Sequence, residues 1–215
     1  MEQNNKRISD IQNNNYGEYQ EDLSQLIEAY EYSSTLDEAT ALYQKISIYA
    51  FEGFADAMFI IGMVLFEGII VEQDLNAAFY WFSQAASEGN AKAQIMLGAM
   101  YEKGWGVDKD EFLAFKWKCE SAKSGHPIAL HNLAVSYFTG RGCDKDWCKA
   151  FDVMKKGAEA GCLEAVGDVG LMYHYGIGVE RNFDEALKWY RKAVELGGVE
   201  AGFKIWLIDK FHGTS

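Results

Sequence analysis

Four histidines (His126, His131, His174, His212) and four cysteines (Cys119, Cys143, Cys148, Cys162) are the side chains best equipped for catalysis or metal binding in this 215-residue chain. Their spacing builds no known constellation. There is no Cys-x-x-Cys and no His-Glu-x-x-His, the patterns that hold zinc or a redox pair. One set could still meet: His131 and His174 fall on exposed positions of neighbouring helices, with Asp168 or Glu102 as a possible third ligand. A polar binding surface is the favoured reading of that set, so we expect no metal and no cofactor. Nucleophilic catalysis needs a Ser or Cys held against a base, and nothing here proposes one. Cys119 lies in a helix, Cys143 in a loop, and Cys162 between two structural units. Cys148 starts a helix, where a thiol can be somewhat acidic, but an idle thiol is the stronger reading. Carboxylates near Glu159 and Glu195 read as a solvated face. The Gly-x-Gly loops at Gly104–Gly106, Gly140–Gly142 and Gly176–Gly178 follow helices and lack the strand–turn–helix setting of a dinucleotide site. They read as interhelix turns, and the chain reads as not an enzyme.

The elements that carry these residues repeat. A period of 36 residues runs without a gap. Ala57, Ala93, Ala129, Ala165 and Ala201 share one column. Gly62, Gly98 and Gly170 share another, with Ala134 in the remaining place. Gly68, Gly104, Gly140 and Gly176 form a third, and Ala78, Ala114, Ala150 and Ala186 a fourth. Trp81, Trp117 and Trp189 align, with Val153 the exception. Apolar residues at helical spacing before Gly68 define a first helix, A, and the glycine stands where a left-handed residue ends a helix. After about five loop residues come Asp74, Asp110, Asp146 and Asn182, all N-cap formers. A second helix, B, follows each and ends at Gly89, Gly125, Gly161 and Gly197. Glycine inside helix A costs roughly 1 kcal/mol against alanine. It belongs where two helices cross too closely for a larger side chain, with the tryptophan filling the space beside the crossing.

The expected organisation is a disordered segment over 1–18, a degenerate helical repeat over 19–54, and full repeats over 55–90, 91–126, 127–162 and 163–198. A capping helix and tail then fill 199–215. In the degenerate repeat Leu26 takes the place of Gly62, and helices are expected near Asp22–Ser33 and Leu36–Phe51. About eleven helices and no strand follow. The single proline, Pro127, agrees with long helices and few turns.

With 32 Asp and Glu against 20 Lys and Arg, the net charge is −12. Nucleic-acid binding and adhesion to an anionic membrane both need the opposite sign. A basic protein partner suits it. The longest uncharged apolar stretch, Ala57–Phe66, is too short to span a bilayer, so no membrane insertion is expected. The N-terminus lacks the apolar core of a secretory signal. Four reduced thiols and a cytoplasmic location are the expectation.

The unit beginning at Ala91, AKAQIMLGAMYEKGWGVDKDEFLAFKWKCESAKSGH, resembles a Sel-one-like repeat. The resemblance covers residues 55–198. It implies an all-α fold: a right-handed α-solenoid of stacked antiparallel helix pairs, related to the tetratricopeptide repeats, whose members hold other proteins or assemble complexes. His126 then reads as structural, since the family often has His there. Ile70 departs from the pattern at the second loop glycine, Cys143 at the loop valine and Val153 at the tryptophan. Some secreted members carry a cysteine pair in every unit, and this chain does not.

By analogy with related helical repeats, the side of helix A away from helix B lines a concave groove. The candidate partner-binding residues there are Phe59, Phe66, Glu102, His131, Asn132, Phe138, Asp168, His174 and Tyr175. Met63, Val135 and Leu171 read instead as packed between units, and Lys118 and Lys155 as outer residues of helix B. An aromatic groove flanked by carboxylates is the usual composition of a protein- or peptide-binding surface. The expected function is noncatalytic protein binding on that face. The alternatives are a cytosolic immunity or inhibitor protein that neutralises a basic toxin, or, third, a hydrolase or ligand-binding enzyme.

Overall fold

The computed structural model describes residues 16–198, together with Gly202 and Ile205. Among the described residues there are ten α-helices and no strand. They are α1 (Tyr16–Glu31), α2 (Leu36–Phe51), α3 (Ala55–Glu67), α4 (Leu75–Ser87), α5 (Ala91–Lys103), α6 (Glu111–Ala122), α7 (Pro127–Thr139), α8 (Trp147–Glu159), α9 (Leu163–Tyr175) and α10 (Phe183–Glu195). The chain forms two compact units that divide between Lys109 and Asp110. The first contains α1–α5 and the second α6–α10. Helix α1 begins at Tyr16, and residues 1–15 of the expected disordered segment lie outside the described residues. Most of the expected capping helix lies outside the described residues; Gly202 and Ile205 are helical, and Ile205 is half-buried against the core of the second unit.

Local chemistry sets each hairpin. Helix α3 stops at Gly68, whose left-handed backbone (φ 71°) lets its amide reach Val64 O at 3.0 Å. Six residues on, Asp74 fastens the loop at both ends. Its amide donates to Leu65 O at 3.0 Å, and its carboxylate accepts from the Ala77 amide at 2.9 Å. Asp146 and Asn182 repeat both contacts in the second unit, reaching back to Tyr137 O and Tyr173 O.

Packing then fixes the helix crossings. A Cβ placed on Gly62 would lie 2.6 Å from the Phe82 ring, and one on Gly170 would lie 2.6 Å from the Tyr190 ring. Both rings are fully buried. The side chain that fills the crossing is therefore the residue after the tryptophan, not the tryptophan. Trp81 and Trp189 are half-buried beside it: Trp81 meets the Phe51 ring edge-on, and Trp189 lies under Lys192. In the third repeat the crossing holds Ala134, and its register partner is Met154, slimmer and more adaptable than a ring.

Successive hairpins dock through the second loop glycine. Gly142 presses its backbone on the Glu111 carbonyl and Gly178 on the Trp147 carbonyl, where any Cβ would overlap the oxygen. Gly106 does the same to Leu75 in the first unit.

Helix α9 supplies its own control. A Cβ at Gly167 meets nothing within 4 Å, whereas Gly170 faces Tyr190. Gly167→Ala is expected to raise stability by about 0.5–1 kcal/mol through helix propensity. Gly170→Ala is expected to lower it by about 1–3 kcal/mol through overpacking. Urea denaturation of the two variants checks the signs; two equal stabilisations would contradict the close crossing.

Candidate partner-binding pocket

In the second unit α7, α8 and α9 enclose an apolar pocket of about 290 Å³. Val135 and Phe138 come from α7, Met154 from α8, and Asp168, Leu171, Met172 and Tyr175 from α9; Ile177 follows α9 in the loop. Helical spacing puts Val135 and Phe138 on one face of α7, and Asp168, Leu171 and Tyr175 on one face of α9. Phe138 is 38% exposed and Tyr175 64% exposed, so two aromatic rings frame the opening. The one charged group in the lining is the Asp168 carboxylate. Its Oδ2 lies 3.3 Å from His131 Nε2, and the pair is an ion pair whenever His131 is protonated.

Three of the expected site residues in the second unit, Phe138, Asp168 and Tyr175, thus come together, with His131 joined to them through Asp168. His174 is turned toward α10. Its ring stacks on Tyr175 (centroids 4.5 Å), meets Phe183 edge-on, and holds Nδ1 3.5 Å from the Tyr190 hydroxyl. Burial pushes the Tyr190 hydroxyl far above the ordinary phenol range, so it stays protonated. Asn132 is half-buried and does not line the pocket; its carbonyl accepts from Ser136 Oγ. In the first unit Phe59 and Phe66 lean their rings on buried Phe82, and Phe66 also on Trp105, so both are half-buried packing residues. Glu102 is half-buried on α5 of the same unit. No group of three His, Cys, Asp or Glu side chains suited to a metal comes together among the described residues.

Met154, Met172 and Ile177 also line the pocket and were not among the expected site residues. Met154 carried a legible signal, since it stands where the first and fourth repeats place a ring, Phe82 and Tyr190. Lys118 is a correction of a different kind. It is buried, not an outer residue of helix B, and its Nζ lies 3.3 Å from buried Ser136 Oγ. It occupies the crossing register of Phe82 and Tyr190, which points inward.

The family pattern matches residues 55–90, 91–126, 127–162 and 164–198 as Sel1 repeats. The chain belongs to the Sel1 repeat family. No curated protein matches the chain. Among solved structures it is similar to a protective antigen of uropathogenic Escherichia coli with an SLR fold (29% identity, TM-score 0.79). That likeness covers 90% of this chain and 41% of the antigen. It is also similar to a Sel1 repeat protein of Oxalobacter formigenes (28% identity, TM-score 0.78), over 90% of this chain and 77% of that one. The chain thus spans about two-fifths of the antigen it matches. An immunity protein of Pseudomonas aeruginosa shares the fold at 21% identity and TM-score 0.51, over 73% of this chain and 58% of that one. The all-α helical-repeat fold is shared with all three.

The Sel1 repeat thiols differ in setting. Cys148 is exposed on the first turn of α8. Cys162 is buried, bonded to Glu164 Oε2 at 3.3 Å, and burial pushes its thiol up. Burial also raises Cys119 and Cys143. Glu164 is held below the usual carboxylate range by its backbone amide, then by the Cys162 thiol. Alkylation of the folded protein at pH 8 is expected to label Cys148 about tenfold faster than Cys162 or more, because only exposed thiolate reacts. Equal rates by mass spectrometry would contradict these settings.

Proposed function

We propose that this Sel1 repeat protein is a noncatalytic interaction module that grips a partner protein or peptide through the pocket between α7 and α9. Sel1 repeat proteins typically mediate protein–protein interaction. The observation that carries the reading is the pocket itself: apolar inside, framed by two exposed aromatics, with a single carboxylate at Asp168. Such a site suits an apolar or aromatic anchor side chain, with a neighbouring Lys or Arg pairing with Asp168. The lining holds no Ser, Cys or Lys that could act as a nucleophile.

A second reading, an immunity protein in the cytoplasm that neutralises a basic toxin, has the net charge of −12 on its side. The likeness to the Pseudomonas immunity protein extends to the fold alone. A toxin reading frame beside the gene would favour this second reading, and a signalling or secretion partner the first.

Once a partner has been purified with the tagged protein, Phe138→Ala and Tyr175→Ala are each expected to weaken it by about 2 kcal/mol, the hot-spot scale. Lys155→Ala on helix α8 is expected to change affinity by less than about 0.5 kcal/mol. Asp168→Lys is expected to slow association, more so at low salt. Calorimetry and stopped-flow mixing check these values. Loss of binding in Lys155→Ala with none in Phe138→Ala or Tyr175→Ala would move the site to the other face.

A further inference from the structure

The negative charge of this chain is concentrated. Residues 8–91 contain 14 Asp and Glu against a single Lys, Lys45, and no Arg. The first unit holds 17 acidic and 6 basic residues, a net of −11; the second holds 15 and 14, a net of −1. The two are of nearly equal length, so the field of the molecule belongs to the first.

That unit also contains a pocket that the repeat pattern does not provide. Gly106, Gly142 and Gly178 let each loop close on the first carbonyl of the preceding helix B. The first full repeat has Ile70 in that register. The helix it faces differs as well. The connection 32–35 is four residues long, against seven in 68–74, so α2 starts a turn earlier in the register than α4. With a side chain on the loop and an extra turn on the helix, the two cannot close as the other pairs do. Between them lies a pocket of about 370 Å³. Half-buried Tyr30 and Ile70 and buried Val64 line it, with exposed Leu36 and Ile69. Its two carboxylates, Glu31 and Glu67, are exposed, and neither meets a cation among the described residues. Glu67 also helps to raise the Tyr30 hydroxyl, after burial.

The N-terminus of α2 borders this pocket and would by itself favour an anion. It is already occupied. Thr35 Oγ1 accepts from the Glu38 amide at 3.2 Å, and the Glu38 carboxylate accepts from the Ser34 amide at 3.2 Å. Asp37 adds a further negative charge in the first turn. The net field at the opening is therefore acidic, which disfavours nucleic acid and anionic lipid and favours a cation.

We propose that this pocket receives an apolar side chain from a basic segment of a partner protein, with Glu31 and Glu67 pairing with the Lys or Arg beside it. The proposal rests on reading the chain as a protein-binding module but uses a different surface from the Phe138–Tyr175 pocket. Mixed burial and ion pairing suit it: the apolar floor supplies affinity, and the surrounding charge supplies rate and selectivity.

The test uses the whole chain and a defined probe, the peptide acetyl-Lys-Lys-Trp-Lys-Lys-amide, mapped by amide chemical shifts and titrated at two salt concentrations. Shifts are expected at residues 30–39 and 64–70. Affinity is expected to fall at least fivefold when Trp is replaced by Gly, and to vanish when Glu replaces every Lys. Ile70→Gly, which restores the usual loop residue, is expected to abolish the shifts. Glu31→Gln with Glu67→Gln leaves the packing alone and is expected to weaken the peptide at least fivefold. Absence of binding, unchanged affinity in the double Gln variant, or indifference to the loss of Trp overturns the proposal. Shifts centred on Phe138 and Tyr175 also overturn it, while leaving the proposed function standing. Shifts in the first unit, with a natural partner that ignores Phe138→Ala, would support this inference and remove the other site.

Discussion

The contact on which the rest of this structure depends is the crossing of two helices at a single small residue. Gly62 receives the ring of Phe82, and Gly170 the ring of Tyr190, each so close that a methyl group would collide. Sizes along this register are complementary. Ala134 stands with Met154, whereas the eroded first hairpin, with Leu26 and Ile46, departs from the rule. Across the Gly62–Phe82, Ala134–Met154 and Gly170–Tyr190 pairs the total volume is roughly conserved while its division between the helices changes, which is how close-packed cores tolerate substitution. Everything else in a hairpin follows from that fixed distance. The loop must turn in seven residues, the N-cap amide must find a helix A carbonyl, and the second loop glycine must lie flat on the preceding helix.

Both pockets lie where the pattern is broken. Met154 replaces a ring in the third hairpin, and the pocket between α7 and α9 opens beside it. Ile70 replaces a loop glycine in the first full repeat, and a second pocket opens between α2 and the 68–71 loop. The regular columns thus build the scaffold, and the irregular positions line its pockets.

Much of the fold was legible from sequence because each column has one physical reason. A glycine that ends a helix, an Asp or Asn that caps the next and an alanine at a contact repeat four times, and the caps and left-handed turns fall where those columns place them. The crossing was legible as a place but not in its partner: helical period alone does not tell whether Trp81 or Phe82 points inward, and the ring that does is Phe82. Lys118 shows the same difficulty, since a lysine in an aromatic register looks like a surface residue until its neighbours are known. The aromatic residues of helix A were found as a set, but the set divides. Phe138 and Tyr175 stay open, whereas Phe59 and Phe66 spend their area on Phe82. That division depends on rotamers and on the following helix, which spacing does not encode.

The central claim is that the two crossing residues form one unit of conserved volume. A double-mutant cycle in the third hairpin measures this most directly, with stability read from urea denaturation. Met154→Tyr alone places a ring against the methyl group of Ala134, and is expected to lower stability by about 1–3 kcal/mol. Combined with Ala134→Gly, which reproduces the Gly170–Tyr190 pair, it is expected to recover most of that loss, with a coupling energy of about 1 kcal/mol or more. Strictly additive effects of the two substitutions would contradict the account.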